Sequence, residues 1–393
     1  MTDLGEVHKT IKKWLFFTDF HTIDLVLATY LTNQKLGTPV WIFLIDNPGE
    51  TKTEILRSLN GLPNIVKISN ITKAGFVSGN VNVPDLFSIL KGKKTVLLIE
   101  DIAQLTSKSK DEKNEIFALF RNLFDGTLSK RTGYITKECD DAHVTLIGAG
   151  TKAFRGQYII AQQLGNRELL FSPKEQSKYM MNKLTKSLEN DNYEQTMRKE
   201  ISGIVKKFLT KRKLKTIDND VVLFKFLKEE ASRLRILRAS ADIDYYNEMI
   251  RGEITVETPT RAVKQLKRLY EGLISLDDRY SPETAKDIIR RVVDSSGVQT
   301  RYKIMKFFNK IEQNTLWRAS DIAEDIIASR KIVSIELEVL WQLGWLKRKI
   351  QQETVGGKVV ISHDGSEEIR GGWLKEFKYY GKKIFEDSTD IIH

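Results

Sequence analysis

Several residue types and patterns are scarce in this sequence, and each scarcity excludes a class of protein. A single cysteine, Cys139, stands among 393 residues, and the five histidines are scattered along the chain. One cysteine cannot form an intramolecular disulfide, and the histidine spacing matches no zinc site. No apolar run approaches the ~20 residues that span a bilayer, and no charged-then-apolar leader opens the sequence. We therefore expect a soluble, cytoplasmic protein that has no membrane partner.

Acidic residues are fewer than basic ones. Asp and Glu number 52 against 63 Lys and Arg, which gives a formal net charge of +11. This surplus favours a polyanionic partner such as nucleic acid, although a modest excess spread over many residues is often only a solvated surface. The length predicts two or three domains with a sizeable core.

The segment from Val40 to Leu56 has the layout of a phosphate-binding loop. A non-alternating apolar run predicts a buried strand, turn residues follow it, and Lys52 and Thr53 open a helix. In such a loop the backbone amides face the phosphates, the lysine reaches the β and γ oxygens, and the threonine hydroxyl binds Mg²⁺. The predicted nucleotide contacts are Asp46, Asn47, Pro48, Gly49, Glu50, Thr51, Lys52, Thr53 and Glu54.

This loop departs from the full motif at both of its ends. Asp46 and Thr51 stand where the motif has glycines, and Gly49 remains. Thr51 therefore needs a backbone that tolerates a Cβ beside the phosphates, and Asp46 adds a negative charge. For this stretch alone, an ordinary strand–turn–helix is the alternative.

Two further strands are predicted to end in polar residues. The apolar strand that begins at Lys93 ends in Glu100 and Asp101, and a later strand ends at Thr151. An acid at the carboxyl end of a strand in an open α/β sheet sits beside the phosphate crevice. We expect Glu100 to hold the Mg²⁺ shell and Asp101 to orient or deprotonate water. Thr151 is a candidate partner of the γ-phosphate, with a purely structural hydroxyl as the alternative.

Three segments are candidates for nucleic-acid contact. The loop 71–80 carries Lys73, and residues 127–141 predict a β-hairpin with Lys130 and Arg131 near its tip. For the loop, a plain surface connection is the alternative. Residues 206–215 form a basic run whose interleaved apolar residues predict a helix with one wet face. That face is a solvated surface by default, and DNA contact is the second interpretation.

The C-terminal part predicts a winged helix. Helices are expected at 302–311, 319–327 and 333–343, followed by strands 345–350 and 359–362 around a Gly356-Gly357 turn. The third helix is nearly uncharged, so we expect backbone contact through the wing rather than base reading by the helix. Protein–protein contact is the alternative. The wing residues assigned to DNA are Lys347, Arg348 and Lys358.

The order of these parts resembles that of the AAA+ ATPases, most closely the minichromosome-maintenance-like replicative helicases of phages, plasmids and genomic islands. Lys52 and Thr53 resemble the Walker A pair, Glu100 and Asp101 the Walker B acids, and Thr151 the sensor 1 residue. The resemblance covers roughly residues 38–295. It implies an α/β fold with an AAA+ P-loop sheet flanked by helices, a helical lid and a C-terminal winged helix. The implied domains are an N-terminal helical segment 1–37, an ATPase core 38–175, a helical linker and lid 176–295, a winged helix 296–365 and a tail 366–393. The charged and aromatic composition of the tail suggests a short appended helix.

The same resemblance assigns roles to four basic residues. Lys130 and Arg131 fall on the pre-sensor hairpin, which grips DNA in the pore of such helicases. Arg167 resembles the arginine supplied in trans by a neighbouring subunit, although a local ion pair with Glu168 is the alternative. Arg261, at the start of a lid helix, resembles the sensor 2 arginine. The loop with Lys73 matches the position of the second pore loop.

The implied function is an ATP- and Mg²⁺-dependent DNA helicase or translocase that works as a ring, a hexamer, in mobile-element or phage DNA replication. Its implied partners are single-stranded or forked DNA, further copies of the chain, and a replication initiator or primase. The first alternative is an AAA+ initiator or loader switch with weak or no hydrolysis. The second is a non-enzymatic DNA-binding scaffold with a degenerate nucleotide fold.

Overall fold

The computed structural model describes most of the chain. The described residues are 3–17, 19–47, 51–68, 72, 75, 85–102, 108–132, 135–152, 165–173, 179–244, 249–311, 317–349, 353–355, 358–360 and 378–381. Only the backbone is described for residues 87, 129–132, 135–137, 249 and 348–349 and for the strands after residue 350. Among these residues, no helix combines the length and apolar character needed to cross a membrane.

The chain forms two compact units. The first comprises residues 1–232 and 259–296, and the second comprises 233–258 and 297–393. Residues 233–258, which the sequence interpretation placed in the linker and lid, thus group with the second unit.

The first unit contains a five-stranded parallel sheet flanked by helices. In chain order, its elements as far as the last sheet strand are α1 (Leu4–Trp14), α2 (His21–Thr32), β1 (Trp41–Asp46), α3 (Lys52–Arg57), β2 (Ile65–Ile68), α4 (Leu86–Leu90), β3 (Lys94–Ile99), α5 (Lys110–Phe124), β4 (Leu128–Thr132), β5 (Ile135–Cys139), β6 (His143–Thr151) and β7 (Leu169–Phe171). The strand order in the sheet is β2-β3-β6-β1-β7. This differs from the dinucleotide-binding and flavodoxin-like orders and is compatible with a P-loop-like α/β fold.

The apolar runs predicted as buried strands are strands in the structure. β1, β3 and β6 lie next to one another or one strand apart and are buried on both faces, which is why they show no alternation. On one face, Trp41 packs edge-on against Phe120 and Phe124 of α5, with ring centroids 5.8 and 5.2 Å apart. The predicted hairpin is also confirmed, since β4 pairs antiparallel with β5.

Helices cover the other parts of the first unit. They are α6 (Met180–Asn190), α7 (Glu194–Leu209), α9 (Thr260–Ile274), α10 (Pro282–Ser295) and most of α8 (Val221–Arg238), whose residues from 233 onward belong to the second unit. α9 packs against α2, where an added Cβ on Gly272 would lie 2.6 Å from the carbonyl oxygen of Ala28. α10 packs against β7, and the hydroxyls of Ser295 and Ser296 accept backbone N–H bonds from Ser172 and Leu170.

The basic run does not form one helix. α7 ends at Leu209, and residues 212–218 have no regular secondary structure. Phe208 and Leu209 are buried as expected, but the prediction of a helix that continues to Lys215 is wrong. The reason is tertiary. After one hydrogen-bonded turn, the backbone N–H groups of Leu214, Lys215 and Ile217 donate to the side chains of Gln34, Ser275 and Glu271 rather than to carbonyls of the preceding turn.

The second unit contains the three helices expected near the C-terminus. Its elements are β8 (Ser240–Asp244), β9 (Met249–Thr255), α11 (Gln299–Phe308), β10 (Trp317–Arg318), α12 (Ala319–Asp325), α13 (Arg330–Gln342), β11 (Leu346–Lys349), β12 (Glu353–Val355), β13 (Lys358–Val360) and β14 (Lys378–Gly381). Arg301 is buried between α11 and α13, where it donates to Glu336 at 2.7 Å and to the carbonyls of Ile236 and Ala239 at 2.8 Å. The antiparallel pair β8–β9 was not predicted.

The predicted wing is wrong in its pairing. β11 pairs with β14, and β13 pairs with β12 in a separate two-stranded sheet. Only two residues separate β12 from β13, so these strands pair with each other as a local hairpin. β11 instead pairs with a strand that lies 29 or more residues further along the chain, with Lys349 opposite Lys378. The expected tail helix is also wrong where the structure describes it, because residues 378–381 form a strand.

Candidate nucleotide-binding site

The carboxyl ends of three parallel strands bring the predicted polar residues to one edge of the sheet. Asp46 at the end of β1 lies level with Thr151 at the end of β6. Ile99 of β3 lies level with Gly148 of β6, so the following Glu100 and Asp101 extend to the same edge. These are the positions that the sequence predicted, and ligands of open α/β sheets bind at this edge.

Lys52 lies at the centre of this edge. It is the first residue of α3, only 7% exposed, and its Nζ donates to the carbonyl oxygen of Asn47 at 2.5 Å. Burial lowers the pKa of Lys52, Asp46 and Asp101 oppose that shift, and Lys152 adds to it. The ammonium group is therefore within electrostatic range of Asp46 and Asp101. A buried ammonium that donates to a backbone carbonyl among the described residues is suited to exchange that acceptor for a phosphate oxygen.

The backbone explains how this loop dispenses with a glycine. Thr51 has φ −68°, a value that any L-residue adopts, so its Cβ creates no strain. At the other end, Asp46 accepts the N–H of Asn47 at 2.8 Å. Pro48, Gly49 and Glu50 lie outside the described residues.

Two lysines that the sequence analysis missed surround the same crevice. Lys152 follows the end of β6 and acts electrostatically on Lys52. Burial lowers the pKa of Lys183 of α6, and the charge of Asp46 opposes that shift. The position of Lys152 directly after a strand-ending threonine was a usable signal. Nothing local marks Lys183, because its helix reaches the crevice only through the tertiary fold.

Glu100 is already bound by basic residues. Arg57, on the last turn of α3, donates to both of its oxygens at 2.8–3.3 Å, and Lys67 lies 3.8 Å away. The hydrogen bonds with Glu100 raise the pKa of Arg57. The two predicted acids thus differ in environment, since Glu100 faces Arg57 whereas Asp101 acts on Lys52.

A second carboxylate extends this network to a neighbouring helix. Glu54 of α3, predicted to contact nucleotide, accepts from Arg57 at 2.9 Å and from Arg198 of α7 at 2.8 Å. Arg198 also pairs with Glu194 at 2.9 Å. The side chain of Glu54 is therefore linked to α7 through two arginines, and no local pattern in the sequence predicts this connection.

Arg167 and Arg261 lie together at another place. Arg167 pairs with Asp125 at 2.7 Å, where the sequence alternative proposed Glu168 as its partner, and Arg261 donates to the carbonyl of Gly165 at 2.8 Å. Both guanidinium groups lie over the Phe124 ring, at 5.6 and 5.7 Å from its centroid. The two predicted arginines therefore form one cluster.

This arginine cluster is at the opposite edge of the sheet from Lys52. Leu169, the first residue of β7, lies level with Ile42, and Arg167 comes two residues earlier. At ~3.3 Å per residue, Arg167 is about 20 Å along the strand direction from the level of Asp46. An arginine there cannot reach a phosphate held by Lys52 of the same chain.

The predicted DNA contacts are only partly described. Lys130 and Arg131 lie on β4, close to the turn of the confirmed hairpin, and their side chains are outside the described set. Lys347 is exposed on β11. Arg348 and Lys358 are described by their backbones alone, on two different sheets. Lys73 lies outside the described residues.

The donor set at the crevice fits a metal shared with phosphate. No three His, Cys, Asp or Glu side chains come together to hold a metal in the part of the chain that the structure describes. Mg²⁺ commonly takes one or two carboxylates plus substrate phosphates, and Thr53, Glu100 and Asp101 could supply such oxygens. In comparisons with known proteins, the sequence matches no family model and no curated protein.

Proposed function

We propose that this protein is an AAA+-type ATPase that binds ATP and Mg²⁺ at the carboxyl edge of its sheet and uses hydrolysis to unwind or translocate DNA. The observation that carries the proposal is the buried ammonium of Lys52, held at the strand ends within electrostatic range of Asp101. The parallel sheet and the confirmed hairpin support the same interpretation.

The crevice residues would act by position and charge. Lys52 would leave the Asn47 carbonyl and bind the β and γ oxygens, while Lys152 and Lys183 add positive charge around Asp46. Thr53 and Glu100 would hold Mg²⁺, which when bound neutralises charge on the phosphate oxygens. Asp101 would orient or deprotonate the attacking water, and Thr151 would bond to the γ-phosphate.

The two arginines would complete the site of a neighbouring copy. Arg167 and Arg261 share one cluster about 20 Å from the level of their own crevice. In a cyclic assembly, one face of each subunit meets the opposite face of the next. This geometry supports a ring, which we propose to be a hexamer in mobile-element or phage DNA replication.

The proposed DNA path uses the hairpin and the second unit. Lys130, Arg131 and Lys73 would contact a single strand or fork within the ring, and the second unit would contact the DNA backbone through Lys347, Arg348 and Lys358. A replication initiator or primase would be the further partner.

One observation favours a second function, an initiator or loader switch with weak hydrolysis. Glu100 is held by Arg57 and Lys67, which compete with a metal for its oxygens. A protein in this state would bind ATP and turn it over slowly.

Nucleotide binding is the first test. We expect Lys52→Met to weaken binding of a fluorescent ATP analogue by at least ~10-fold, because a charge-assisted contact to phosphate is lost. Lys110→Met, an exposed lysine at the start of α5, is the matched control and should bind normally. Equal affinity of the two variants, both folded by circular dichroism, would refute a phosphate site at Lys52.

A further inference from the structure

The second half of the basic run is held in one conformation by neighbouring side chains, and it has no role in the proposed ATPase. After α7 ends, the side-chain amide of Gln34 makes two hydrogen bonds to the backbone. Its Nε2 donates to the carbonyl of Arg212 at 2.9 Å, and its Oε1 accepts the N–H of Leu214 at 2.8 Å. Ser275 then accepts the N–H of Lys215 at 2.8 Å. The backbone of residues 212–215 is therefore held by neighbouring side chains, although it belongs to no helix or sheet.

Lysines are exposed at every second position of this part of the chain. Lys211, Lys213 and Lys215 are exposed, and Arg212 and Leu214 are half-buried. Lys211 lies in the hydrogen-bonded turn that follows α7, and Lys213 and Lys215 lie in the segment held by Gln34 and Ser275. Lys215 pairs with Asp278 at 2.8 Å, but an ion pair between exposed groups contributes little and exchanges readily.

Other elements add positive charge beside these lysines. Lys94, exposed at the start of β3, donates to the carbonyl of Gln34 at 2.7 Å, and Lys35 reaches the hydroxyl of Thr216 at 3.5 Å. Burial, together with Arg268 and Lys94, lowers the pKa of the neighbouring His143 to about 4. We call the set Lys35, Lys94, Lys211, Lys213 and Lys215 the lysine surface.

The lysine surface is distinct from the nucleotide crevice. Lys94 begins β3 and Glu100 follows its end, so the two sites lie at opposite edges of the sheet. Six residues of strand separate them by about 20 Å.

We propose that the lysine surface binds the phosphate backbone of a nucleic acid without reading its sequence. Ammonium groups at successive exposed positions of a fixed segment match the successive phosphates of a nucleic-acid strand, and they contact backbone rather than base edges. Insertion into a membrane is less favoured, because the apolar residues within the basic run are withdrawn from the surface: Phe208 and Leu209 are buried and Leu214 is half-buried. The surface would hold the strand outside the proposed ring path and needs no ATP.

The test measures binding of a fluorescein-labelled oligothymidylate to the full-length protein by anisotropy, without nucleotide, over a salt series. We expect Lys211→Gln with Lys213→Gln to weaken binding and to reduce the slope of log K against log salt by about 1.4, because two phosphate contacts are lost. Lys9→Gln with Lys12→Gln, two exposed lysines on α1, should leave both quantities unchanged. An unchanged slope in the first variant would overturn the proposal.

A third variant separates a built surface from diffuse attraction. Gln34→Ala keeps every charge but releases the segment, so we expect severalfold weaker binding; unaltered binding would show that only diffuse charge acts. Binding of the same proteins to vesicles rich in phosphatidylserine is measured as the second part of the test. If the double lysine variant loses vesicle binding and keeps oligonucleotide binding, the proposal is wrong and the surface is a membrane contact. ATP-analogue binding, measured in parallel, reports on the crevice independently.

Discussion

At the scale of single residues, the main feature of the candidate site is the competition for Glu100. Its two oxygens accept from Arg57, whose other donor reaches Glu54, and Glu54 in turn accepts from Arg198. These side chains are about one-third exposed, so each pair contributes modestly to stability. Their effect on a reaction is more direct, since a carboxylate bound to arginine is a poorer metal ligand.

Removal of Arg57 should therefore speed turnover if Glu100 has the proposed role. We expect Arg57→Met to raise the steady-state ATPase rate about 5-fold, which corresponds to ~1 kcal/mol of released interaction. Arg198→Met is the matched control, because it removes an arginine from Glu54 and leaves the Arg57–Glu100 contact. A rate that falls in Arg57→Met but not in the control would mean that Arg57 itself assists the reaction.

At the scale of elements, the position of α9 depends on a close approach to α2. Gly272 lies where a Cβ would meet the Ala28 carbonyl at 2.6 Å and a methyl group of Thr32 at 3.1 Å. A glycine inside a helix costs conformational entropy, so its presence here is explained by the packing. This contact fixes the helix that carries Arg261. Through Glu271 and Ser275, it also fixes the backbone of the segment that carries Lys213 and Lys215 of the lysine surface.

The substitution Gly272→Ala should destabilise the first unit by ~1–3 kcal/mol, because the two helices must move apart. The control is Gly203→Ala on α7, where no atom lies within 4 Å of the added Cβ. That change should instead stabilise the protein by ~0.5–1 kcal/mol through helix propensity. Thermal or urea unfolding of both variants measures the contrast, and shifts of the same sign would contradict the packing argument.

At the scale of the whole molecule, the proposed ATPase divides its site between the two edges of one sheet. Lys52 and Asp101 belong to the carboxyl edge, and the cluster of Arg167 and Arg261 belongs to the amino edge. A single chain cannot bring them together within the first unit. The assembly, rather than the subunit, would then be the unit of activity.

A mixing experiment tests this division. Arg167→Ala should bind the ATP analogue normally but lose turnover, and Lys52→Met should lose both. In a 1:1 mixture, random assembly places an intact Lys52 opposite an intact Arg167 at roughly a quarter of the subunit interfaces. We expect ATPase activity to recover in proportion. Native mass spectrometry checks that the variants co-assemble. Co-assembly without recovered activity would mean that Arg167 does not complete a neighbour's site.

The sequence by itself determined the parts of this protein that depend on local order. Apolar runs without alternation predicted β1, β3 and β6, and the polar residues that follow them therefore had to share one edge of a parallel sheet. The pattern of residues 127–141 predicted the β4–β5 hairpin.

Only the tertiary structure decided which distant residues meet. Arg57 with Glu100, Lys183 with Asp46, Gln34 with the segment after α7, and β11 with β14 are pairings between groups that are far apart in the chain. No periodicity encodes such a pairing, because any exposed arginine or edge strand has several partners of suitable chemistry. The choice is made by the packing of whole elements, which brings one partner within hydrogen-bonding distance and removes the others.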